Sequence, residues 1–75
     1  MYVYEITLVN KISGSFIEIC DVLARSMKGV FCTGGFRRIK RLKRKMDRIE
    51  VRRVFKIKTL KLGTRVVSDI LYKRE

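Results

Sequence analysis

A run of positive charge in the middle of the chain constrains its fold more than any other feature. Seven of the ten residues from 36 to 45 are Lys or Arg, and none of the ten is acidic. Apolar residues in this run and just after it recur at steps of three or four: Phe36, Ile39, Leu42, Met46 and Ile49. This spacing predicts a basic amphipathic helix with one narrow apolar stripe. The stripe would dock the segment on its own domain and direct the cations outward.

The segments on either side of this run alternate in the manner of strands. Residues 2–9, YVYEITLV, alternate throughout and are rich in β-branched and aromatic side chains. After the basic run the period changes to two, which predicts a strand with one basic face and one mostly apolar face. The apolar face is formed by Ile49, Val51, Phe55 and Ile57, with Arg53 among them. Turn residues dominate NKISGS at 10–15 and KLGT at 61–64. The tail RVVSDILYKRE at 65–75 fits a last strand or a short helix, and its Val and Ile residues favour the strand.

A helix is predicted between the first strand and the basic run. Ser15 and Glu18 form an S-x-x-E pattern, which is typical of a capping box at a helix start. The apolar residues that follow recur at helical spacing: Phe16, Ile19, Cys20, Leu23 and Met27. Gly29 stands where a helix commonly ends. We therefore expect a helix over residues 15–27.

Strands and helices mixed in 75 residues predict one small α+β domain over residues 1–75. We expect a two-layer sandwich in which an antiparallel sheet is covered on one face by one or two helices. A domain of this length buries only about 60% of the surface that its unfolded chain exposes. Its core is therefore thin.

The distribution of charge indicates a polyanionic partner. The formal net charge is +12, and thirteen of the nineteen Lys and Arg residues lie in a basic block at residues 37–61. Such a block repels itself in isolation and is stabilised by a polyanion. Nucleic acid is the leading candidate, an anionic membrane surface comes second, and a solvated basic face is the third alternative. A membrane-surface helix commonly carries Trp or Phe on a broad apolar face, and the chain contains no Trp.

RNA fits the composition better than DNA does. Asn and Gln commonly read base edges, and the chain has no Gln and a single Asn at position 10. Phosphate contacts need neither residue, and RNA is recognised largely by shape and backbone. Base stacking has little support, because the aromatic residues fall mostly at predicted core positions: Tyr2, Tyr4, Phe36, Phe55 and Tyr72.

The sequence offers no chemistry for catalysis, a metal or a cofactor. Histidine is absent, and Asp47 and Glu50 stand among arginines, where ion pairing is the simpler role. The two cysteines, Cys20 and Cys32, match no zinc spacing and are predicted to be small buried apolar residues. No apolar run is long enough for a signal peptide or a spanning helix. We expect a soluble protein that is not secreted, is not an enzyme and binds no small-molecule substrate.

Four segments resemble the family of the sixth small-subunit ribosomal protein, bacterial or mitochondrial. They are YEITLV at 4–9, FIEICDVLARSMKGVF at 16–31, GGFRRIKRL at 34–42 and RVVSDILYKRE at 65–75. The resemblance implies a ferredoxin-like domain of order βαββαβ, or a truncated variant of it. It also implies that residues 36–44 form a strand, whereas their periodicity predicts a helix. Its partners would be ribosomal RNA and neighbouring ribosomal proteins, on a ribosome in the cytoplasm or the mitochondrion.

The sequence thus predicts a structural constituent of the ribosome. The alternatives are a small DNA-binding regulator, such as a viral one, and a basic module that docks on an acidic protein. Ten side chains are predicted to contact RNA phosphates: Arg37, Arg38, Lys40, Arg41, Lys43, Arg44, Lys45, Arg48, Arg52 and Arg53.

Overall fold

A computed structural model of the protein describes residues 1–58, 61–65 and 70–74. The elements within these ranges are β1 (Tyr2–Asn10), β2 (Phe16–Ala24), α1 (Met27–Val30), α2 (Gly34–Leu42), β3 (Asp47–Lys58), β4 (Lys61–Arg65) and β5 (Ile70–Arg74). The order ββααβββ and the antiparallel sheet confirm a small α+β domain.

The sheet is built around β1 and β3. Strand β1 pairs with β2 on one side and with β3 on the other, and both pairings are antiparallel. The second edge of β3 is shared by β4, which pairs near Phe55 and Lys56, and by β5, which pairs from Ile49 to Arg52. The sheet is therefore four strands wide in the described residues. The strand predicted for the tail is confirmed over 70–74, while 66–69 and 75 lie outside the described residues.

The turn predicted at residues 10–15 is confirmed and joins β1 to β2. The Oδ1 atom of Asn10 accepts hydrogen bonds from the backbone amides of Ile12 and Ser13 at 2.9 and 3.0 Å. Gly14 has a φ of +73°, a conformation that glycine adopts without a steric cost, and its amide donates to the Asn10 carbonyl. This turn reverses the chain so that the segment after it lies directly beside β1.

The helix predicted for residues 15–27 is wrong, because Phe16–Ala24 forms the strand β2. It pairs with β1 from Phe16 opposite Val9 to Ala24 opposite Tyr2. Its side chains alternate between a more buried and a more exposed face, and the more buried face consists of Glu18, Cys20, Val22 and Ala24. The paired backbone satisfies the hydrogen bonds that a helix would have made. Gly29 lies inside α1 and does not end a helix.

The core lies between one face of the sheet and the two helices. It consists of Tyr4, Ile6, Leu8, Ala24, Val30, Phe36, Ile39, Ile49 and Val51. The opposite face of the sheet carries Val3, Glu5 and Arg52 among others, and Thr7 and Val9 are buried on it. We call it the open face because neither α1 nor α2 covers it. A bulge between the pairs Tyr4–Arg53 and Val3–Phe55 turns Phe55 onto the open face. The prediction that Phe55 shares a face with Ile49 and Val51 is therefore wrong.

The helix predicted from periodicity is confirmed as α2, and the strand that the resemblance implies for residues 36–44 is wrong. The helix ends at Leu42, so Met46 and Ile49 lie beyond it. Only the first part of the stripe is buried, since Leu42 is 47% exposed. The turn predicted at 61–64 is also wrong, because these residues belong to β4.

Candidate nucleic-acid interface

The outer face of α2 carries the densest charge in the described part of the fold. Phe36 and Ile39 are buried against the sheet and fix the rotation of the helix. Residues between and beside these anchors then point away from the core, since an α-helix turns once every 3.6 residues. The four cations of α2 are all exposed: Arg37, Arg38, Lys40 and Arg41.

The start of α2 is fixed by Thr33. Its hydroxyl oxygen accepts a hydrogen bond from the backbone amide of Phe36 at 3.2 Å, which is the bond of an N-cap. The same hydroxyl donates to the carbonyl of Val30 at 2.6 Å. Thr33 therefore ties the end of α1 to the first turn of α2.

A tight turn after α2 extends the basic surface. The Oδ2 atom of Asp47 accepts from the backbone amide of Arg44 at 3.0 Å, and the Asp47 amide donates to the Arg44 carbonyl at 3.1 Å. Asp47 is buried, whereas Arg44 and Lys45 are exposed. Lys43 is half-buried, and its Nζ donates to the Arg44 carbonyl at 3.3 Å. The buried carboxylate thus holds the backbone of a turn whose side chains are cationic.

We call seven of the predicted residues the α2 surface: Arg37, Arg38, Lys40, Arg41, Lys43, Arg44 and Lys45. On its β2 side, a guanidinium nitrogen of Arg38 lies 3.5 Å from Oε2 of Glu18. Both side chains are well exposed, and a surface pair of this kind contributes only about 0–1 kcal/mol. Arg38 therefore stays available to a stronger anion.

The other three predicted residues do not join the α2 surface. Arg48 lies on the open face, and its Nε donates to Oε2 of Glu50 at 2.6 Å. Arg52 is exposed on the same face, directly opposite Glu5 of β1. Arg53 is half-buried opposite Tyr4, and its guanidinium carbon lies 4.7 Å from the centre of the Tyr2 ring.

Sequence reasoning missed a cation next to the α2 surface. Arg74 of β5 lies opposite Ile49, which places it on the helix-covered face of the sheet, and its side chain is exposed. It borders a groove with Arg37 and Lys40 of α2. No local pattern in the sequence could have found it, because the contact depends on the pairing of β5 with β3.

The cysteines are placed differently from one another. Cys20 is half-buried against the core, but Cys32 is exposed, so the prediction that Cys32 is buried is wrong. Both are free thiols. Over the described ranges no cluster of three or more metal-ligating side chains is found. No helix in the same ranges is both long enough and apolar enough to cross a bilayer.

Comparison with known proteins returns no relative. No protein-family model matches the chain, and neither the curated proteins nor the solved structures contain a match. The functional interpretation therefore rests on the geometry of the residues themselves.

Proposed function

We propose that the protein binds the phosphate backbone of structured RNA through the α2 surface. The observation that carries the proposal is the placement of seven cations on consecutive turns of one helix and the turn that follows it. Phe36 and Ile39 are buried in the core and fix the helix on the sheet. The backbone that carries the cations is therefore already ordered before phosphate binds. Within α2, Arg37 and Arg41 are four residues apart, which is about 6 Å along the helix axis, so the helix offers neighbouring positive charges to a strand of phosphates.

The arrangement favours backbone contact over reading of DNA sequence. The α2 surface contains Lys and Arg but no Asn or Gln, the side chains that pair bidentately with adenine. A helix-turn-helix protein crosses the DNA backbone with its first helix, and α1 has only four residues. Arg supports bidentate contacts to phosphate, and Lys acts as a point charge.

We further propose that the RNA is ribosomal and that the protein is a structural constituent of the ribosome. The net charge of +12 and its concentration in the basic block support a partner as rich in phosphate as ribosomal RNA. Ribosomal RNA would neutralise the repulsion among these cations, which the small core of the protein must otherwise overcome. The ferredoxin-like arrangement is not part of the proposal, because the order ββααβββ differs from βαββαβ.

The salt dependence of RNA affinity tests the proposed mechanism. Each phosphate neutralised by a cation releases condensed counterions, so log K falls linearly with log salt. With about six phosphates engaged, we expect a slope of roughly −4 to −5 for a structured ribosomal RNA fragment. A slope near zero, or equal affinity for an uncharged polymer, would contradict the proposal.

Competition experiments separate the alternatives. Structured RNA should displace duplex DNA of equal length at the same salt concentration, and vesicles of anionic lipid should compete weakly. Preference for duplex DNA with a dimeric stoichiometry would favour the regulator. A discrete complex with one acidic protein that survives nuclease would favour the interaction module. Release of the native protein from ribosomal subunits by nuclease is the outcome that we expect.

A further inference from the structure

A groove between α2 and β5 combines aromatic rings with cations. Its volume is about 390 Å³, and it is lined by Phe31, Phe36, Arg37, Lys40, Tyr72 and Arg74. This volume is in the range of about 300–1,000 Å³ that is typical of small-molecule sites. We call it the aromatic groove.

Three aromatic rings form the apolar side of the groove. The Phe31 ring centre lies 5.0 Å from that of Phe36 and 4.9 Å from that of Tyr72, and both pairs are edge-to-face. Phe36 is buried and anchors the cluster in the core. Phe31 is 36% exposed, so part of its ring is open to a ligand while two neighbours hold its orientation.

Three cations form the polar side. Arg37 and Lys40 come from α2, Arg74 comes from β5, and all three side chains are exposed. Among the described residues, no carboxylate lines the groove. Because Arg37 and Lys40 also belong to the α2 surface, a strand of phosphates lying on that surface passes the mouth of the groove.

We propose that the aromatic groove binds one unpaired nucleotide of RNA. The base stacks on the exposed ring of Phe31 beside Tyr72, and the adjacent phosphate is bound by Arg37, Lys40 and Arg74. Aromatic side chains next to a basic track are the combination that binds single-stranded nucleic acid. This inference rests on the proposed function and adds to it a preference for RNA with an unpaired base. The sequence pattern does not single out Phe31, because its position beside Tyr72 depends on the fold.

A tryptophan reporter tests the stacking directly. The chain contains no Trp, so Phe31→Trp introduces a single indole whose fluorescence reports contact with a base. The titrants are a ten-nucleotide single-stranded RNA and an abasic oligomer with the same number of phosphates. We expect the RNA to quench the fluorescence and to bind about tenfold more tightly than the abasic oligomer. Equal quenching and equal affinity would overturn the inference.

Matched variants separate a stacking role from a structural one. Phe31→Ala should reduce the ratio of the affinities for the RNA and the abasic oligomer from about ten towards one. The slope of log K against log salt should stay the same for both oligomers. Phe55→Ala is the control, because Phe55 is also 36% exposed but lies on the open face, and it should keep the tenfold preference. If Phe31→Ala does not fold, Phe31→Leu keeps an apolar side chain without the aromatic face.

The outcomes distinguish the two proposals. Binding of both oligomers with the same affinity and a steep salt slope would overturn the nucleotide site and leave phosphate binding in place. Absence of salt-dependent binding to either oligomer or to a structured RNA would overturn both. Loss of base preference in Phe55→Ala to the same extent as in Phe31→Ala would also overturn the assignment of the groove.

Discussion

A Cβ atom on Gly35 would lie 2.6 Å from Cγ1 of Val22 and 2.7 Å from Sγ of Cys20. Real Cβ atoms essentially never approach another heavy atom that closely. The first turn of α2 therefore rests directly on β2, and only a residue without a side chain fits between them. This contact sets the height of α2 above the sheet, and with it the position of the α2 surface.

Gly35→Ala should destabilise the protein by about 1–3 kcal/mol, because the added methyl group forces Val22 and Cys20 to shift. In a domain of this size, each kcal/mol lowers the melting temperature by about 4–8 °C. Gly34→Ala is the matched control, since a Cβ there meets nothing within 4 Å. Thermal unfolding followed by circular dichroism should show a clear decrease for Gly35→Ala and little change for Gly34→Ala. Equal melting temperatures for the two variants would show that the helix does not rest on β2.

The buried anchor of α2 should contribute more to stability than the exposed one. Ile39 is fully buried in the core, and its replacement by Ala should cost about 2–5 kcal/mol. Leu42 belongs to the same apolar stripe but is 47% exposed, so Leu42→Ala should cost far less. Urea unfolding at equal protein concentration measures both. Similar costs would mean that Leu42 is covered in solution, against its exposed position in the structure.

Strand β2 shows why local patterns mispredict a fold. Ser15 and Glu18 satisfy a capping box, and Phe16, Ile19 and Leu23 satisfy a helical stripe. The deciding interaction is non-local. The turn at residues 10–15 places this segment beside β1, and the two strands then form backbone hydrogen bonds with each other. The turn pattern of NKISGS after a clear strand was the signal that favoured a hairpin.

The helix α2 was predictable because its determinants are local. Its anchors and its cations lie within one short segment, so periodicity alone places them on opposite faces. The period of two that starts at Ile49 already places Arg48 and Arg52 on the face away from Ile49, and Arg53 on the face of Ile49. The period does not show which of the two faces α2 covers, because that depends on how the helix packs on the sheet. The same period fails beyond Arg53, where the bulge turns Phe55 onto the open face.

Substitutions at Thr33 should measure how much the N-cap hydrogen bond of α2 contributes to stability. Thr33→Val keeps the shape of the side chain but removes the hydroxyl that bonds the Phe36 amide and the Val30 carbonyl. We expect a loss of about 0.5–2 kcal/mol in the free energy of unfolding. Thr33→Ser keeps the hydroxyl and should lose little of this stability. If Thr33→Ser unfolded as readily as Thr33→Val, packing of the methyl group, and not the hydrogen bond, would be the cause.

Two double variants with the same charge change test where RNA binds. Arg41→Gln with Arg44→Gln removes two cations of the α2 surface, whereas Arg48→Gln with Arg52→Gln removes two cations of the open face. Removing one phosphate-binding cation should reduce the slope of log K against log salt by about one unit, so the first variant should show a slope smaller by about two units. The second should keep nearly the full slope, because Arg48 is already paired with Glu50 and Arg52 lies opposite Glu5.

Filter binding of one structured RNA across a range of salt concentrations measures both slopes, and melting temperatures confirm folding. Equal reductions of the slope in the two variants would mean that net charge alone, and not the α2 surface, determines affinity.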